Sequence, residues 1–119
     1  MSKKILLVED SPQLSRLVGD YLTIRGYSVR SVETATQALV SLEGEAADLV
    51  IVDGVLPGDL DGLGLIEEIR RRNPQQKMIA MSGHPLFLPR LAETGVTVLA
   101  KPFNMKVLDS CVRKALIGS

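Results

Sequence analysis

Two rhythms of apolar residues alternate along this chain. Short apolar runs recur, Ile5-Leu6-Leu7-Val8, Leu49-Val50-Ile51-Val52, the run that follows Lys77 in Lys77-Met78-Ile79-Ala80-Met81, and Val96-Thr97-Val98-Leu99-Ala100, broken only by Thr97. A run of that kind, without polar alternation, predicts a strand covered on both faces. Tyr27 to Val32 instead alternates apolar and polar, as an edge or near-edge strand does. Between the runs, apolar residues recur at helical spacing. Leu14, Leu17, Val18, Tyr21 and Leu22 form one such face, begun by Ser11-Pro12 and stopped by Gly26. Thr34 and Gln37 have capping-box spacing ahead of Ala38, Leu39 and Leu42, and Gly44 closes that helix. Leu65, Ile66 and Ile69 mark a third helix, closed by Asn73-Pro74. Asn104 caps a last one with the face Leu108, Cys111, Val112, Ala115 and Leu116. In the stretch from His84 to Glu93, Pro85 and Pro89 confine any helix to a turn or two after Pro89.

The order is β then α, about five times over. It predicts an α/β fold with a doubly wound, five-stranded parallel sheet and helices on both faces. A length of 119 residues suits one domain over 1–119 and is too short for two. With only 3% aromatic residues and no Trp, Leu, Val, Ile and Ala must build the core. Lys+Arg and Asp+Glu number 14 each, and this zero net charge argues against non-specific nucleic-acid binding. Arg70-Arg71-Arg72 sits at a predicted helix end, where cations favour the carbonyl pole. The lone Cys111 cannot form an internal disulfide, which fits a reducing, cytoplasmic compartment. No apolar run nears the roughly 18 residues of a membrane span. Met1 to Lys4 leads straight into a strand pattern, so no signal peptide is expected.

Chemistry gathers where the strands end. The first strand delivers Glu9 and Asp10, the third Asp53, the fourth Ser82 and the fifth Lys101. In an open parallel sheet the carboxyl ends of the strands share one edge, and ligands bind there. Three carboxylates at one spot repel one another unless they share a divalent cation. Carboxylate, carbonyl and water oxygens suit Mg²⁺, whose sites are commonly completed by phosphate. A lysine ammonium and a serine hydroxyl add charge balance and a hydrogen-bond donor. That inventory suits phosphoryl transfer, with a carboxylate available as nucleophile. Each group alone has a plainer reading: Asp53 and Ser82 as turn residues, Glu9-Asp10 as a solvated turn, Lys101-Pro102 as a structural turn, and His84 as a loop residue.

Glu9-Asp10-Ser11, Asp53 with Pro57 four residues on, Asp61-Gly62, Ser82-Gly83 and Lys101-Pro102-Phe103 together resemble the receiver domain of two-component response regulators. The resemblance covers essentially the whole chain and implies the flavodoxin-like strand order 2-1-3-4-5. It implies Asp53 as acceptor of a phosphoryl group from a sensor histidine kinase or a histidine phosphotransfer protein. It implies Asp10 as a direct Mg²⁺ ligand, Glu9 acting through water, Asp53 itself and the Val55 backbone carbonyl as further ligands. Ser82 would move to bond the phosphoryl group, Lys101 would pair with it, and the Lys101-Pro102 bond would be cis. A downstream protein or a fused output domain would receive the signal, with no direct role for nucleic acid or membrane.

The chain departs from the family at three places. Val98 stands three residues before Lys101, where receivers usually carry Tyr or Phe. Pro85 and Pro89 shorten or displace the fourth helix. The loop Pro57-Gly58-Asp59-Leu60-Asp61-Gly62 is one residue longer than the commonest form. A competing reading is a receiver-like interaction module not controlled by phosphate. A turnover phosphatase is disfavoured because many need an acid two residues after the nucleophile, where this chain has Val55. Nucleotide binding lacks both the GxGxxG and the GxxxxGK[ST] pattern.

Overall fold

The computed structural model describes residues 2–58 and 60–117. Met1 and Asp59, on which the expectations about the extreme N-terminus and the length of the Pro57 to Gly62 loop fall, lie outside the described residues. Five strands and five helices alternate: β1 (Lys4–Val8), α1 (Pro12–Ile24), β2 (Ser28–Val32), α2 (Ala35–Gly44), β3 (Leu49–Asp53), α3 (Gly62–Arg72), β4 (Met78–Ser82), α4 (Phe87–Ala92), β5 (Thr97–Ala100) and α5 (Met105–Ile117). All strand pairs are parallel, in the order β2-β1-β3-β4-β5. The alternating β2 pattern is thus an edge strand, and every residue of the unbroken β3 and β4 runs is buried.

The sheet divides the core in two. Ile5, Leu7, Ile51, Ile79 and Met81 point to one side, with Val18 and Leu22 of α1 and Leu108 and Val112 of α5. Leu6, Val8, Val50, Val52 and Ala80 point to the other, with Ala38 of α2, Leu65, Ile66 and Ile69 of α3 and Leu91 of α4. Alternate strand residues therefore serve opposite layers, each fully buried aliphatic side chain contributing about 1.5–3 kcal/mol. Cys111 is half-buried against the first layer, as its place on the α5 face predicts.

Helix ends follow the sequence. Ser11 accepts from the Leu14 N–H at 3.3 Å. Thr34 and Gln37 form a complete capping box. Asp61 accepts from Gly64 at 2.9 Å, and Asn104 from Val107 at 2.9 Å. Of the arginine run, Arg71 and Arg72 both pair with Glu68, at 2.6 and 2.7 Å, and Arg72 also reaches Glu43 at 3.4 Å.

The fourth helix is short, but it begins at Phe87, two residues before Pro89 rather than after it. Proline is tolerated there because N–H groups of a first helical turn have no intrahelical acceptor to lose.

Candidate functional site

Strand ends bring the predicted residues together at the carboxyl edge of the sheet. Glu9 follows β1 and is nearly fully buried, its N–H donating to Val32 O at 3.0 Å. Asp10, next to it, is exposed. Asp53 is the last residue of β3, with 6% of its surface exposed. One carboxylate oxygen from each of Glu9, Asp10 and Asp53 lies within 4.8 Å of the other two.

Lys101 supplies the counter-charge. Its Nζ stands 3.1 Å from Asp53 Oδ2 and 3.4 Å from Glu9 Oε1. The other oxygens are held by backbone. Asp53 Oδ1 accepts from the Val55 N–H at 3.0 Å, and Glu9 Oε2 from the Ser11 N–H at 3.0 Å. Lys101 is aimed from β5 by its own N–H, which donates to Ser82 O at 2.9 Å, and the Lys101-Pro102 peptide is cis.

Burial of Glu9 raises its carboxyl pKa from 4.5 to about 7; the Ser11 N–H opposes the rise and neighbouring Asp53 adds to it. For Lys101, burial acts downward, but the hydrogen bond and charge of Asp53, with Glu9 behind it, outweigh burial and leave the pKa above the ordinary lysine value. An extra proton on Glu9 thus relieves a pocket that holds more negative than positive charge.

Ser82, at the end of β4, is buried, and its Oγ accepts from the His84 N–H at 3.1 Å. His84 is exposed. Val55, whose N–H holds Asp53 Oδ1, has an exposed side chain.

Two glycines let neighbouring elements close on the end of β3. A Cβ on Gly62 would lie 2.1 Å from the Asp53 carbonyl oxygen, and one on Gly54 would lie 2.9 Å from Leu91 Cδ1. The start of α3 is therefore packed directly on the end of β3. Asp61-Gly62 was a visible signal, but only as a motif; its steric reason needs the two elements side by side.

The order β2-β1-β3-β4-β5 with an acidic pocket closed by a lysine defines a flavodoxin-like α/β domain of the receiver class. The family model described as "Response regulator receiver domain" matches residues 5–113, so this chain belongs to the response regulator receiver family. Nitrogen assimilation regulatory protein NtrX of Azorhizobium caulinodans is 32% identical over 98% of this chain and 26% of the relative. The crystal structure of the receiver domain of NtrX from Brucella abortus superposes with a TM-score of 0.91 at 31% identity, covering 97% of this chain and 99% of that one. Response regulator protein TrrA from Thermotoga maritima, in complex with Mg²⁺ and BeF, superposes with a TM-score of 0.88 at 30% identity, covering 96% and 99%. The chain spans about a quarter of the length of several curated relatives, NtrX, DctD and GlrR among them. Among the described residues, no helix is long and apolar enough to cross a membrane.

Proposed function

We propose that Asp53 accepts a phosphoryl group and that the acyl phosphate so formed is the signalling state of this receiver. The donor is a phosphohistidine, on a sensor histidine kinase or a histidine phosphotransfer protein. Asp53 Oδ attacks phosphorus, the P–N bond breaks, and the leaving imidazole takes up a proton. The recipient of the signal is a downstream protein or a fused output domain. Receivers are signalling domains; in this reading the chain promotes its own phosphoryl transfer and loss and turns over no separate substrate.

The observation that carries this reading is the meeting of Lys101 with Asp53 at 3.1 Å inside a cluster of three carboxylates. The Val55 N–H holds Asp53 Oδ1 and the Lys101 ammonium holds Oδ2, so the carboxylate is oriented before any donor arrives. In this reading Lys101 balances the charge of the incoming phosphoryl oxygens, and the Ser82 hydroxyl, at the end of neighbouring β4, is a further donor. The donor set suits Mg²⁺: Glu9, Asp10 and Asp53 offer hard oxygens within reach of one another, and the Val55 carbonyl is the proposed fourth protein ligand. Glu9 acts through water in this reading, and Asp10 directly. Bound there, Mg²⁺ would neutralise charge on the phosphoryl oxygens.

Beryllofluoride tests the pocket without a kinase, because it mimics a phosphoryl group on a carboxylate. Together with Mg²⁺ it should raise the melting temperature of the wild type and leave Asp53→Asn unchanged. Equal stabilisation of both proteins would overturn the assignment. The competing reading, an interaction module indifferent to phosphate, predicts no response in either.

A further inference from the structure

Val98 lies in the middle of β5, half-buried against the α2–α4 side of the sheet. It carries no ring. The aromatic contacts on this side are made from α4 instead. The Phe87 ring, packed on the same core layer, meets the His84 ring edge to face, centroids 5.3 Å apart with 75° between planes. On α4 the Arg90 guanidinium carbon lies 5.9 Å from the Phe87 centroid. Both geometries are attractive, ring edge to ring face and cation to ring face.

His84 is tied at both ends. Its Nδ1 accepts the Leu86 N–H at 3.2 Å, and its own N–H donates to Ser82 Oγ at 3.1 Å. An unbroken series of contacts thus runs from the Ser82 hydroxyl to the exposed guanidinium of Arg90. Arg90 in turn lines a groove of about 470 Å³ between α3 and α4, with Leu63, Ile66, Glu67 and Arg70. The Arg70 Nε is buried with no hydrogen-bond partner among the described residues, so one wall of the groove holds an unsatisfied donor.

We propose that the state of Ser82 is displayed at the α3–α4 groove through the His84–Phe87–Arg90 stack, with Phe87 serving where β5 has only Val98. This rests on the reading that Asp53 is phosphorylated. When the Ser82 hydroxyl turns to donate to a phosphoryl oxygen, its Oγ leaves the His84 N–H. The loop must then find that amide a new acceptor, and the His84 ring, fixed to the same loop by Leu86, moves with it. The Phe87 ring and the Arg90 seated on it follow, and the groove changes its charge and outline.

The test reads the Arg90 guanidinium by NMR in Arg-labelled protein, its resonance identified with Arg90→Lys. Acetyl phosphate with Mg²⁺ should displace the Arg90 signal in the wild type and in Val98→Ala. In Phe87→Leu the displacement should be lost, although intact mass shows the same phosphoryl uptake. A second arm needs no phosphate. Ser82→Ala removes the acceptor of the His84 N–H and should itself displace the Arg90 signal, whereas adding Phe87→Leu to Ser82→Ala should abolish that displacement. An Arg90 signal that moves fully without Phe87, or that ignores both phosphorylation and Ser82→Ala, overturns the proposal. A wild type that takes up no phosphoryl group overturns the Asp53 reading instead, and the Ser82→Ala arm still decides the stack.

Discussion

The Lys101 ammonium stands 3.1 Å from Asp53 Oδ2, and no other cation reaches that carboxylate among the described residues. Removing it leaves buried Glu9 and Asp53 facing each other without a counter-charge. Lys101→Met should therefore lower the stability of the metal-free protein by roughly 1–3 kcal/mol, the cost of stranding a buried polar partner. Added Mg²⁺ should restore more stability to the variant than it gives the wild type, because the ion supplies the missing charge. Urea unfolding with and without Mg²⁺ measures both.

Glu9 gives the fold a pH dependence whose sign follows from its environment. Its folded pKa is about 7 against 4.5 for an ordinary glutamate. Between these values the folded chain keeps a proton that the unfolded chain has lost. Stability from this group is thus full below 4.5, falls as pH rises towards 7, and is flat above. The slope is at most about 1.4 kcal/mol per pH unit. Glu9→Gln should remove that component of the slope in urea titrations run in EDTA across about pH 5–8. Mg²⁺ affinity of the wild type should rise as pH passes through that range, because the Glu9 carboxyl must give up its proton before its full charge can hold the ion through water.

Gly62 tests how closely α3 is seated on the nucleophile strand. A methyl at this position would meet the Asp53 carbonyl oxygen at 2.1 Å, and that oxygen is backbone and cannot swing away. Gly62→Ala should destabilise by at least about 2 kcal/mol and weaken Mg²⁺ binding as the end of β3 shifts. Gly44, in the last turn of α2, has open space around its would-be Cβ. Gly44→Ala should be neutral or stabilise by up to about 1 kcal/mol through the lower entropy of the unfolded chain. Thermal unfolding of the pair separates crowding from a general intolerance of side chains at glycine.

Much of this was legible in the residues, and the reason is periodicity. Unbroken runs such as Leu49 to Val52 can be satisfied only by a sheet covered on both sides, and a parallel sheet puts the ends of all its strands on one edge. That alone brings Glu9, Asp53, Ser82 and Lys101 together, although they are up to 92 positions apart. What could not be read depends on packing between elements. Pro89 suggested a helix beginning after it, yet proline fits inside a first helical turn, and α4 begins at Phe87. The clash reserved for Gly62 exists only once α3 lies on β3. The proton held by Glu9 comes from burial beside Asp53, and the His84–Phe87–Arg90 stack from the turn of one loop. None of these leaves a periodic trace.

The central claim concerns one oxygen of one side chain. Incubated with acetyl phosphate and Mg²⁺, the wild type should gain the mass of one phosphoryl group, and Asp53→Asn should gain none. No adduct on the wild type, or an undiminished adduct on Asp53→Asn, would contradict the account.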